Sequence, residues 1–143
     1  MLFKRTSRSQ PEVEYIVVQN VSGSTITAGY SAAFDTGASA DGVRVSRVGT
    51  TRLQSFAGVA DSDIANNAYG LVQVYGYRSS AFIHSSAGTD ATGSGLTTAA
   101  SQWGLVPANA AGTSKTFGFL CEAVSASSSS AYDTTAAVFI RAL

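Results

Sequence analysis

The chain has 143 residues, the size of one ordinary domain, and its nine lysines and arginines balance nine aspartates and glutamates. Net neutrality argues against holding bulk nucleic acid, because that affinity comes mostly from many phosphate-neutralising cations. Charged residues make up only 13% of the chain against roughly 25% in ordinary soluble domains, so the surface is expected to be covered by copies of itself or by a larger assembly.

Residues 1–11 are polar and basic, with Lys4, Arg5 and Arg8 and no acid before Glu12, and Pro11 marks their end. They read as a flexible N-terminal arm ahead of a β domain over 12–143. No apolar run follows the arm's positive charges, so it is not expected to be a secretory signal. No stretch approaches the roughly 20 apolar residues of a membrane helix, and no membrane association is expected.

From Tyr15 the sequence breaks into short runs rich in Val, Ile, Thr, Tyr and Phe, separated by Gly, Ser, Asn and Asp clusters, which is the pattern of strands and turns. Strands are expected over 15–21, 25–34, 43–48, 56–60, 69–78, 81–85, 96–103, 116–124 and 136–142. This spacing predicts an all-β fold, a barrel or a sandwich. Ser22-Gly23 and Asp41-Gly42 supply the positive φ of tight turns, and 61–67, opening on Asp61-Ser62-Asp63, offers one short helical turn closed by Asn66-Asn67. The Ser, Gly, Thr and Ala tracts 85–95 and 125–130 have too little apolar area to offset their ordering entropy and are expected to be exposed loops.

The chemistry-bearing inventory is thin. His84 and Cys121 are the only histidine and cysteine, which leaves no four-ligand zinc pattern and no intrachain disulfide. His84 sits in a strand beside the apolar Phe82 and Ile83, and no Gly-x-Ser-x-Gly elbow accompanies it for a hydrolase triad. In Gly88-Thr89-Asp90-Ala91-Thr92-Gly93-Ser94 a serine replaces the phosphate-loop lysine, and Asp61-Ser62-Asp63 lacks the later ligands of a calcium loop. No catalytic residue, metal site or cofactor is expected. Tyr69, Tyr75, Tyr77 and Phe82 resemble a base-stacking platform, but only Arg78 lies among them, so core packing and interface are the better reading. Tyr75, Tyr77 and Trp103 are the candidate interface aromatics.

The segments Thr25-Ile26-Thr27-Ala28-Gly29, Phe56-Ala57-Gly58-Val59-Ala60 and then 64–76, with Gly70-Leu71-Val72-Gln73-Val74-Tyr75-Gly76 at its end, come in an order that resembles the capsid decoration (cement) proteins of tailed bacteriophages. Residues 116–123 and 137–141 look similar as well. The resemblance implies a small β-barrel or β-tulip-like domain on the outer capsid surface of the virion, often a homotrimer, with the major capsid protein as partner. It implies no catalytic residues. A cement protein acts by mass action, stabilising the assembled shell by the free energy of binding it. In this reading the arm residues Leu2, Phe3, Lys4, Arg5 and Arg8 contact the capsid. The alternative is a carbohydrate- or receptor-binding β-module of a phage head fibre or tail, in which Tyr75, Tyr77 and Trp103 stack on sugar.

Overall fold

The computed structural model describes residues 12–36, 40–48, 55–85, 88–108, 115–125 and 132–142; the arm residues Leu2, Phe3, Lys4, Arg5 and Arg8 lie outside them. The fold is all-β. Its strands are β1 (Glu14–Asn20), β2 (Ser31–Phe34), β3 (Arg44–Ser46), β4 (Phe56–Ala60), β5 (Tyr69–Ser85), β6 (Thr89–Asp90), β7 (Gly95–Thr98), β8 (Leu105–Pro107), β9 (Gly118–Leu120), β10 (Val124–Ser125) and β11 (Tyr132–Arg141).

Nine of the strands form one sheet in the order β1-β3-β2-β4-β5-β11-β9-β7-β8, and β5 pairs in addition with β1 and with β8. The sheet therefore closes on itself twice, and β5 belongs to both circuits. Its first half pairs antiparallel with β1, from Gln19 opposite Tyr69 to Glu14 opposite Tyr75. Its second half pairs antiparallel with β11, from Arg141 opposite Tyr75 to Tyr132 opposite Ser85. The change of partner at Tyr75 is the waist of the molecule.

Each circuit has its own core. Val18, Ile26, Ala32, Val45, Ala57, Ala60, Ile64, Val72 and Val74 cluster in the first. Phe56, Val59, Ala81, Ile83, Leu96, Leu105, Leu120, Val138 and Ile140 belong to the second. Strand β4 gives Ala57 and Ala60 to one core and Phe56 and Val59 to the other, so all five of its residues are buried. A strand covered on both faces must read as a continuous apolar run, and Phe56-Ala57-Gly58-Val59-Ala60 does.

Two details follow from local chemistry. Asn20 is fully buried, and its amide donates to the carbonyls of Ser24 and Ile64, both at 2.7 Å, while its oxygen accepts from the Ser22 backbone at 2.9 Å. A buried amide with all these partners fixes the turn at Gly23, whose φ is +84°. At the waist Gly76 holds φ +102°, and a Cβ there would collide with the Glu12 carbonyl oxygen. Only glycine lets the incoming chain lie this close to β5.

Several expected boundaries shift. The two strands predicted over 69–78 and 81–85 are one 17-residue strand. The run 25–34 contributes β2 only at its end, and the run 96–103 turns back between β7 and β8. The helical turn expected over 61–67 is absent: Ile64 instead forms a bridge to Ile26, and Asp63 Oδ1 accepts from the Ala28 backbone at 2.8 Å. The first tract expected as a loop pairs where the second begins, Thr89 opposite Ser125 and Asp90 opposite Val124, the last residue of the expected 116–124 strand. Residues 86–87 and 126–130 of those tracts lie outside the described ones.

Candidate functional site

Cross-strand partners share a face of a sheet, so the pairs Tyr15 with Gln73, Val17 with Leu71 and Gln19 with Tyr69 point the same way from β1 and β5. Away from the first core, Tyr15 is 44% exposed, Val17 60%, Leu71 41% and Tyr69 66%. These four apolar and aromatic side chains form a strip with no charged residue among them. It is an exposed feature of the kind that marks contact surfaces.

The strip runs into a groove of about 400 Å³ at the waist, lined by Val13, Tyr15, Asp61, Gln73, Tyr77, Arg78, Ser79 and Ser80. Two bulges shape it. The β1–β5 register slips between Glu14 and Tyr15, and the β11–β5 register slips between Ala136 and Val138, where Ser79 and Ser80 on β5 face the single Ala137. An extra residue bends its strand and re-aims side chains, and here it pushes the two serines outward.

The floor is a polar network built around Arg78. Its Nε donates to the Ser80 carbonyl at 2.8 Å, across the bulge itself. Nη1 donates to Asp61 Oδ1 at 3.3 Å and to Gln73 Oε1 at 3.4 Å, and Nη2 donates to the Ala60 carbonyl at 2.8 Å and reaches that of Asp61 at 3.5 Å. Gln73, only 2% exposed, donates to the carbonyls of Tyr75 and Tyr77 at 3.2 and 3.1 Å. A planar fork with five donors suits this role, since each of its N–H groups has an acceptor. Tyr77, 47% exposed, and Tyr15 line the groove above this floor.

Of the three interface aromatics expected from sequence, the structure places only Tyr77 in this groove. Tyr75 is half-buried, its ring edge-on to Phe139 with centroids 5.3 Å apart, and Phe139 stacks on Phe119. Trp103 stacks on Tyr30 at 5.5 Å with the Arg47 guanidinium 5.8 Å from its ring, and packs against the first core. Tyr15, read from sequence only as a strand residue, takes the place beside Tyr77. No sequence signal marked it, because β1 is apolar on both faces.

Elsewhere, His84 and Asp133 face each other across β5 and β11, Nδ1 to Oδ1 at 2.6 Å. Burial and the neighbouring Glu122 charge push the Cys121 thiol above its ordinary value, which favours an inert thiol. Among the described residues no three His, Cys, Asp or Glu side chains gather as metal ligands, and no helix is long and apolar enough to cross a membrane.

No family model matches the sequence, and no curated protein matches it either. The fold is similar to that of the crystal structure of the head fiber gp8.5 N base in bacteriophage phi29. The two superpose with a TM-score of 0.52 over 92% of this chain and 96% of that one, at 18% identity.

Proposed function

We propose that this chain is a structural protein of a tailed-phage virion, bound to the outside of the head shell, where it stabilises the assembled capsid. The observation that carries the reading is the correspondence of fold with a phage head-fibre base over nearly the whole of both chains. The segment resemblance to capsid decoration proteins and the low charge of the surface point the same way. The major capsid protein is the partner, no cofactor is involved, and no residue has a catalytic role. The basic arm, Leu2, Phe3, Lys4, Arg5 and Arg8, supplies the shell contact, with Phe3 becoming buried on binding and Lys4, Arg5 or Arg8 facing acidic shell residues. Copies meet one another through the strip Val17, Tyr69 and Leu71, most simply as a trimer with closed symmetry.

The same fold correspondence favours a second reading, in which the chain is the seat of a fibre rather than a free-standing cement subunit. Particles decide the matter. Shells of the phage that encodes this chain, produced without it and then mixed with purified protein, should carry it down on sedimentation in saturable amount and resist heat better. Removing residues 2–10 should weaken that binding without lowering the melting temperature of the β domain by much. Failure to sediment with shells would sink the shell-binding reading. Sedimentation without a gain in heat resistance would favour the fibre seat.

A further inference from the structure

We infer that the waist groove is a binding site for a neutral saccharide, one or two sugar rings in size. The inference rests on the groove's lining and is independent of how the chain attaches to a shell. Its volume of about 400 Å³ lies near the small end of ligand sites, which span roughly 300–1,000 Å³. That leaves room for a chain end or a short oligomer.

The lining chemistry selects the class. Tyr15 and Tyr77 present two half-exposed aromatic rings, and the C–H face of a pyranose packs on such rings while its hydroxyls stay free to hydrogen-bond. Around them stand polar groups able to meet those hydroxyls: the phenols of Tyr15 and Tyr77, the exposed hydroxyls of Ser79 and Ser80, and the Asp61 carboxylate, 43% exposed. Asp61 uses Oδ1 for Arg78, and Oδ2 remains as an acceptor that can span neighbouring sugar hydroxyls.

Other ligand classes fit less well. A phosphate, sulfate or nucleic acid would need a cation with donors to spare, and among the described residues Arg78 is the only cation lining the groove; all its N–H groups are committed to Asp61, Gln73 and three backbone carbonyls. A purely apolar ligand would have to desolvate the Asp61 carboxylate without replacing its hydrogen bonds. Arg78 and Gln73 thus act as positioning residues. They hold the Ser79-Ser80 bulge and the Asp61 carboxylate in place before a ligand arrives, which reduces the ordering cost of binding.

The test uses the full chain in solution. Neutral glucose, galactose, mannose and N-acetylglucosamine, each as monomer and short oligomer, are titrated by saturation-transfer NMR and tyrosine fluorescence, with a sulfated and a sialylated sugar as anionic probes. At least one neutral sugar should receive saturation and perturb tyrosine emission at millimolar concentration or below. Tyr77→Ala and Asp61→Asn should each weaken it at least tenfold, and Tyr69→Ala, outside the groove, should leave it unchanged. Both Tyr77 and Asp61 are well exposed, so folding is checked by melting and circular dichroism, and Tyr15→Ala gives a second reading if either variant misfolds. The proposal is overturned if no neutral sugar binds, if the anionic probes bind better, or if Tyr69→Ala weakens binding as much as Tyr77→Ala.

Discussion

The Arg78 guanidinium meets the Asp61 carboxylate at 3.3 Å, but the two partners sit in different surroundings: the arginine side chain is 13% exposed and the aspartate 43%. The pair is therefore unequal, and its two halves can be removed separately with different consequences. Arg78→Met leaves the buried Gln73 oxygen without this donor, while the Ala60 carbonyl keeps the Gly29 N–H and the exposed Ser80 carbonyl can turn to water. An orphaned buried acceptor costs about 1–3 kcal/mol, so losing the donor to Gln73 should cost this variant about that much in urea denaturation. Asp61→Asn should cost under about 1 kcal/mol, as expected of a solvent-screened partner that still offers an oxygen. Equal losses would mean that the ion pair, not the bond to Gln73, gives Arg78 its structural weight.

Because β5 is shared, the two cores should unfold as one cooperative unit. Leu120→Ala in the second core and Val72→Ala in the first both delete fully buried apolar groups. Leu120→Ala should cost about 2–5 kcal/mol by the usual cavity penalty, and Val72→Ala less because it removes fewer atoms. Each should shift a single unfolding transition, seen alike by Trp103 fluorescence and by far-ultraviolet circular dichroism. Two separate transitions would show that the circuits unfold independently despite β5.

What the sequence revealed and what it concealed divide along physical lines. Strand β4 was legible because burial on both faces leaves an uninterrupted apolar run. The continuity of β5 was not: Arg78-Ser79-Ser80 reads as a break, and only in the folded chain does Arg78 bind the Ser80 carbonyl and carry the strand through its bulge. Likewise Asp61-Ser62-Asp63 looks like a helix cap, but the cap goes to Ala28 in another segment, a long-range partner that no local pattern encodes. Tyr77 was legible as a surface aromatic. Trp103 was expected beside it, yet its area is better used against Tyr30 and the first core.

If copies meet through the strip, Leu71→Lys should disperse the oligomer, and Val17→Glu should do so independently. Both side chains are well exposed, so the monomer fold should survive with a loss within about 0.5 kcal/mol, the usual range for surface changes. Light scattering and sedimentation velocity read the result. Wild type should show a species near three chain masses and the variants one. A wild-type protein that stays monomeric at micromolar concentration would remove the strip from the assembly.

Acid should act measurably at Asp41. Hydrogen bonds from the backbone N–H groups of Arg44 and Val43, at 2.8 and 2.9 Å, hold its carboxyl below the ordinary value of 3.8, helped by the Arg44 charge. The folded state thus favours the ionised form. The stability this contributes is present above the ordinary carboxylate value and is lost as pH falls through the lower folded one. Asp41→Ala should accordingly be less stable than wild type at neutral pH and approach it in strong acid, as followed by urea midpoints across the acid range. A gap that stays constant with pH would assign the turn to packing rather than to charge.

The length of β5 also has a mechanical meaning. Its 17 residues span about 55 Å at roughly 3.3 Å per residue, paired with β1 along the first half and with β11 along the second. A pull along its axis loads the ladders to β1 and β11 in shear, so that many bonds must fail together. A pull across it peels them apart one at a time. On the proposed shell, swelling or drag would be resisted most by a copy oriented with this strand along the direction of strain, and the same copy turned by a right angle would come away at far lower force.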